Sequence, residues 1–154
     1  MVTCATPIAA ANAPETGALL YVTDLMHDSD EHLQLACELA SSRGLRLELV
    51  HVIDLNQTPS RPDAQMGIQH RLDALVRRLK PHKKNVRSVL LFGCPEEVIS
   101  KRAIDLKASL IAFGAKSAAS AEVQWRLVRS VIGKTTCPVL VLSSDLSIKK
   151  RKTA

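Results

Sequence analysis

"VRSVLLFGCPEEVISKRAIDLKASLIAFG", residues 86–114, sets two short apolar runs on either side of a capped amphipathic segment. The runs "VRSVLLFG" (86–93) and "SLIAFG" (109–114) have the length and the branched, aromatic content of strands. Between them Pro95 suits the first position of a helix, and Glu96 and Glu97 complement the positive end of its dipole. This helix is expected to run to about Lys107. A strand, a helix and a strand in this order form the unit that joins parallel strands.

The alternation continues in both directions. Upstream, "ALLYVTD" (18–24) reads as a buried strand, and Ser29 caps a helix that carries Asp30 and Glu31 in its first turn. Leu33, Ala36, Cys37 and Ala40 share one face of that helix, and Gly44 ends it. "LRLELVHVID" (45–54) is a second strand. After a loop, a helix from about Asp63 to Lys80 sets Ile68, Leu72, Leu75, Val76 and Leu79 in one stripe, and Pro81 stops it. Its arginines, Arg71, Arg77 and Arg78, fall on the solvated side.

Downstream of Gly114 the spacing predicts a helix from about Ser120 to Ile132. Val123, Leu127 and Val131 form its main apolar stripe, with Gly133 as its cap. "CPVLVLSS" (137–144) is the fifth strand. Continuously apolar strands separated by helices indicate a parallel sheet covered on both faces, hence a three-layer α/β fold. Ligands of such sheets bind beyond the carboxyl ends of the strands, where the strand order reverses. Asp24, Asp54, Gly93 and Gly114 all end strands.

Composition narrows the function classes. A chain of 154 residues fits one domain. With four aromatic residues it offers few platforms for stacking bases. Cys4, Cys37, Cys94 and Cys137 form neither a CxxC pair nor a metal pattern with the histidines, and read as reduced thiols of a cytoplasmic protein. His27, His32, His51, His70 and His82 show no metal spacing, so no metal is expected. Cys94, at a helix N-terminus, is a candidate redox-sensing thiol because its pKa can fall there. The sequence holds no GxSxG, no Walker GxxxxGK[ST] and no GxGxxG.

Residues 1–16 read as a flexible N-terminal arm, without the pattern of a signal peptide. No run reaches the length of a membrane helix. Of the net charge of +6, Lys149, Lys150, Arg151 and Lys152 supply four in the basic tail, 145–154. A solvated tail is the simple reading, and contact with nucleic acid or an anionic surface is the alternative.

"ALLYVTD", "LVHVID", "LLFGCPEEVISKRAIDLKASLIAFGAKS" and "CPVLVL" together resemble, in order and spacing, the universal stress protein family over residues 17–144. The resemblance implies five parallel strands in the order 3-2-1-4-5, with Asp24 and Gly114 facing each other at the switch point. It also implies a homodimer paired through the last strand, and a stress-response role. In family members that bind ATP, an aspartate ending strand one and a backbone segment ending strand two hold the adenosine part. Asp24 and Val52 match those positions.

The family's phosphate loop has the form Gly-x2-Gly-x9-Gly-Ser/Thr, and "GAKSAASAEVQWRLVRS" (114–130) departs from it. Gly114 matches the first glycine, and Ser117 stands where the second belongs. The final pair falls on Leu127 and Val128, counting forward, or on Trp125 and Arg126, counting back from Pro138. Side chains at such positions obstruct the approach of a phosphate to backbone N–H groups. Trp125 is a possible plug of the crevice, with packing at the helix rim as the alternative.

Lys116 and Arg126 are candidate cationic contacts and Ser117 a hydroxyl contact for a rearranged phosphate site. Two function readings follow. One is a dimeric stress-response module with a degenerate, weakened ATP site, no required cofactor and an unknown protein partner. The other is a signalling protein that still binds ATP or AMP through Asp24, Val52, Gly114, Lys116, Ser117 and Arg126. Hydrolysis of the nucleotide would need a positioned base or metal that no motif supplies.

Overall fold

The structure is a computed structural model that describes residues 17–25, 28–54, 56, 62–83, 85–115 and 118–142, with backbone alone at 62 and 118–120. The N-terminal arm, the basic tail, Lys116 and Ser117 lie outside the described residues. Nine elements alternate: β1 (Gly17–Val22), α1 (Asp30–Ser42), β2 (Leu45–Ile53), α2 (Pro62–Leu79), β3 (Val86–Phe92), α3 (Pro95–Leu106), β4 (Leu110–Gly114), α4 (Ala118–Lys134) and β5 (Val139–Leu142).

The strands form one parallel sheet in the order β3-β2-β1-β4-β5. Each residue from Leu19 to Val22 has a partner on both sides; Tyr21, for example, lies between Leu49 and Ala112. The chain winds outward from β1 through β2 to β3, then crosses back and winds the other way through β4 to β5. Right-handed crossovers therefore place the helices on opposite faces of the sheet.

The period of two along the strands builds two cores. Leu19, Tyr21, Leu47 and Leu49 pack with Leu33, Ala36 and Leu72 of α1 and α2. Leu20, Val50, Ile111 and Phe113 pack with Ile99, Ala103, Val128 and Val131 of α3 and α4. Successive strand side chains point to opposite faces, so one apolar run serves both layers.

The helix ends follow from local chemistry. Ser29 caps α1, its hydroxyl accepting from the His32 N–H at 3.1 Å. Beyond it Gly44, at φ +65°, takes the left-handed conformation that turns the chain into β2. Pro95 opens α3, and Lys107 closes it in the left-handed region at φ +52°.

Two expectations for α4 are corrected. The helix starts at Ala118 and runs through Gly133 to Lys134; Gly133 takes no positive φ, so it continues the helix and does not cap it. Val123, assigned to the buried stripe, is 71% exposed, whereas Gln124, Val128 and Val131 are buried. Val131 is buried and Leu127 packs on the core as expected, but one turn earlier Gln124 points inward in place of Val123, its Nε2 donating to the Gly114 carbonyl at 2.6 Å. A buried amide with a partner outcompetes an apolar side chain at that place.

Candidate functional site

At the carboxyl end of the sheet, β1 and β4 part toward different faces and a cavity of about 440 Å³ opens between their exits. Its floor is apolar, made by Val22, Ile99 and Phe113. Its walls come from the segments following β1, β2 and β3 and from the middle turns of α4, Val123 to Ser130.

The β1 exit is built on Thr23. Its own N–H continues the sheet to the Val50 carbonyl at 2.9 Å. Its Oγ1 accepts from the Leu25 N–H at 3.0 Å, closing a tight turn in which Leu25 stands at φ +68°. A non-glycine residue in that region costs on the order of 1–2 kcal/mol, which the bonds around Thr23 offset. The turn brings Asp24 to the cavity.

Asp28 anchors the loop from inside. Its carboxylate accepts from the Tyr21 hydroxyl at 3.0 Å and, by a short bond, from the Thr23 hydroxyl. Burial, and next the charge of Asp28, push the Tyr21 phenol far above its ordinary range, so it stays protonated and donates. Gly114 lies directly over this group: a Cβ there would come within 2.6 Å of the Tyr21 oxygen and 2.8 Å of His32 Nδ1. The glycine is required by close packing. His32 is buried, and its Nε2 has no hydrogen-bond partner.

On the β2 side His51 lies at the cavity with Nδ1 2.8 Å from the Thr23 carbonyl oxygen, linking two strand exits. Asp54 follows β2 and Glu96 opens α3, both lining the same space. The expectation of a low-pKa thiol at Cys94 is corrected here. A hydrogen bond to Glu96 is the largest of the causes that raise the thiol above its ordinary value. A carboxylate beside a thiol favours the S–H form, so the helix N-terminus does not make Cys94 a reactive thiolate.

Of the residues singled out by sequence, Asp24, Val52, Gly114 and Arg126 line this one cavity. Trp125 is 49% exposed and does not belong to the lining. Thr23, Asp28, His51, Asp54, Glu96 and Gln124 complete the walls and were not among the predicted site residues. Asp54 carried a signal, its place at a strand end. Asp28 had only its position in a turn-rich loop, and nothing in sequence distinguishes a buried Gln124 from a surface one. Among the described residues no three His, Cys, Asp or Glu side chains gather as metal ligands.

The fold is shared with solved structures. A universal stress protein in complex with cAMP superposes with a TM-score of 0.65 at 16% identity, covering 82% of this chain and 96% of that one. The universal stress protein from Archaeoglobus fulgidus in complex with dAMP gives 0.64 at 21% identity, covering 82% and 98%. A protein of the universal stress protein family from Burkholderia pseudomallei gives 0.60 at 25% identity, covering 84% and 98%. No curated protein sequence matches the chain significantly.

Likeness at 16% and 21% identity establishes the fold alone. The sequence pattern of the universal stress protein family, in contrast, matches residues 16–143, which span every described element. This chain belongs to the universal stress protein family.

Proposed function

We propose that this chain is a cytoplasmic stress-response module that binds the adenosine part of an adenine nucleotide in the cavity at the switch point, with a weakened hold on a triphosphate. The observation that carries the reading is the meeting of Asp24, Val52, Gly114 and Arg126 around one space of about 440 Å³. That volume falls within the roughly 300–1,000 Å³ of small-molecule sites. The complexes of fold neighbours with cAMP and dAMP support the ligand class. The weakened phosphate end rests on the lost glycines after Gly114, where Ser117 and either Trp125 and Arg126 or Leu127 and Val128 replace the family's residues.

The module acts as a homodimer. Among the described residues β5 pairs only with β4, so none of them covers its outer edge, and Leu140 on it is 37% exposed. An apolar edge strand is stabilised by a partner. Among the described residues no helix is long and apolar enough to cross a membrane.

Calorimetric titration with adenosine, AMP and ATP, joined to mass spectrometry of nucleotide retained through purification, tests the binding. Saturable binding, weakened at least about tenfold by Asp24→Asn, is expected. Silence at millimolar nucleotide would leave a scaffold without this ligand. Sedimentation as a monomer at tens of micromolar protein would remove the dimer.

A further inference from the structure

The cavity has a charge opposite to that of a phosphate site. Among the described residues its lining holds four carboxylates, Asp24, Asp28, Asp54 and Glu96, against one guanidinium, Arg126. That guanidinium also donates from Nη2 to the exposed Glu122 Oε1 at 3.2 Å, one helical turn earlier, which offsets part of its charge. Glu96 is held ionised, since the hydrogen bond from Cys94 keeps its carboxyl below the ordinary value.

The polar side chains of the wall also carry hydrogen-bonding groups of known direction. The Thr23 carbonyl can only accept, so His51 Nδ1 must carry the proton in the 2.8 Å bond between them. The carboxylate oxygens of Asp24, Asp28, Asp54 and Glu96 are acceptors, and they reward a ligand that brings donors: an exocyclic amine and ribose hydroxyls, bonded with charge assistance. A triphosphate brings the opposite, several negative charges into a space that already holds four.

We propose that this crevice selects the uncharged, donor-rich end of its ligand, so that the free nucleoside binds more tightly than its triphosphate, and ATP binds better as its complex with a divalent cation than alone. This rests on the nucleotide-binding reading above and adds the ligand form that the site takes. Repulsion between charges within about one Debye length, roughly 8–10 Å at ordinary ionic strength, is incompletely screened, least of all in a cavity. One unfavourable contact of this kind is enough for about a tenfold change in affinity.

The experiment is calorimetric titration of the full chain with adenosine and with ATP in EDTA, then with ATP in excess Mg²⁺. The expected result is adenosine at least about tenfold tighter than metal-free ATP, with Mg²⁺ narrowing the gap. Metal-free ATP that binds as tightly as adenosine overturns the inference and leaves the nucleotide reading standing. No binding by either ligand overturns that reading and the inference with it.

A variant carrying Asp54→Asn and Glu96→Gln separates charge from shape. Its affinity for metal-free ATP relative to adenosine should rise at least about threefold, and an unchanged ratio overturns the charge argument. Glu96→Gln alone serves the same comparison if the double variant does not fold.

Discussion

The Tyr21 hydroxyl donates to Asp28 Oδ1 at 3.0 Å, joining the centre of the sheet to the loop that leads into α1. The phenol is fully buried and lies beneath Gly114, so this bond sits under the junction of the β1 and β4 exits. Its protonation is therefore linked to stability.

The sign follows from the shift. In the unfolded chain a tyrosine ionises near pH 10, whereas the folded pKa lies well above that value. The contribution is fully present below pH 10 and is lost as pH rises beyond it, because the unfolded state then releases a proton that the folded state keeps. Stability should fall by up to about 1.4 kcal/mol per pH unit above pH 10, and Tyr21→Phe should remove that part of the slope. Urea unfolding of both proteins between pH 9 and 11 measures it; equal slopes would contradict the assignment.

Glu48 is buried in β2, and Arg102 Nε of α3 donates to its Oε1 at 2.7 Å. Arg102→Met should destabilise by about 2–4 kcal/mol, since it leaves a buried carboxylate without its counter-charge. Adding Glu48→Met should recover most of that loss. A double variant no more stable than the single one would show that packing, not charge, sets the cost.

Two valines of α4 depart from sequence periodicity: Val123, on the expected stripe, is exposed, and Val128, off it, is buried. Val128→Ala should cost about 2 kcal/mol because Val128 is buried against Ile99 and Phe113. Val123→Ala should stay within about 0.5 kcal/mol. Equal losses in chemical denaturation would restore the original stripe.

Trp125 is the single tryptophan, which makes it a reporter as well as a test. Trp125→Ala should leave adenosine affinity within about twofold, as expected for a side chain outside the ligand's contacts, whereas Asp24→Asn should weaken it at least about tenfold. Gain of ATP binding in Trp125→Ala would mean that the indole fills the crevice in solution.

The alternation of apolar runs and amphipathic stretches was enough to specify the order of elements, because strand and helix periods are properties of neighbouring residues. Ser29, Gly44 and Pro95 marked their boundaries for the same reason: caps and turns are local chemistry. Resemblance to a family added the strand order and pointed to Asp24, Val52, Gly114 and Arg126, which line one cavity.

Tertiary structure decided the rest. Which of Val123 and Gln124 points inward from α4 depends on Gln124 finding the Gly114 carbonyl, a partner ten residues away in the chain. The thiol of Cys94 is set by Glu96 as well as by the helix dipole. The acidic character of the crevice arises only when the exits of β1, β2 and β3 converge, since Asp24, Asp28, Asp54 and Glu96 are spread over a basic chain with a net charge of +6. Net charge is a sum over residues, whereas the field a ligand meets depends on distance, and folding sets the distances.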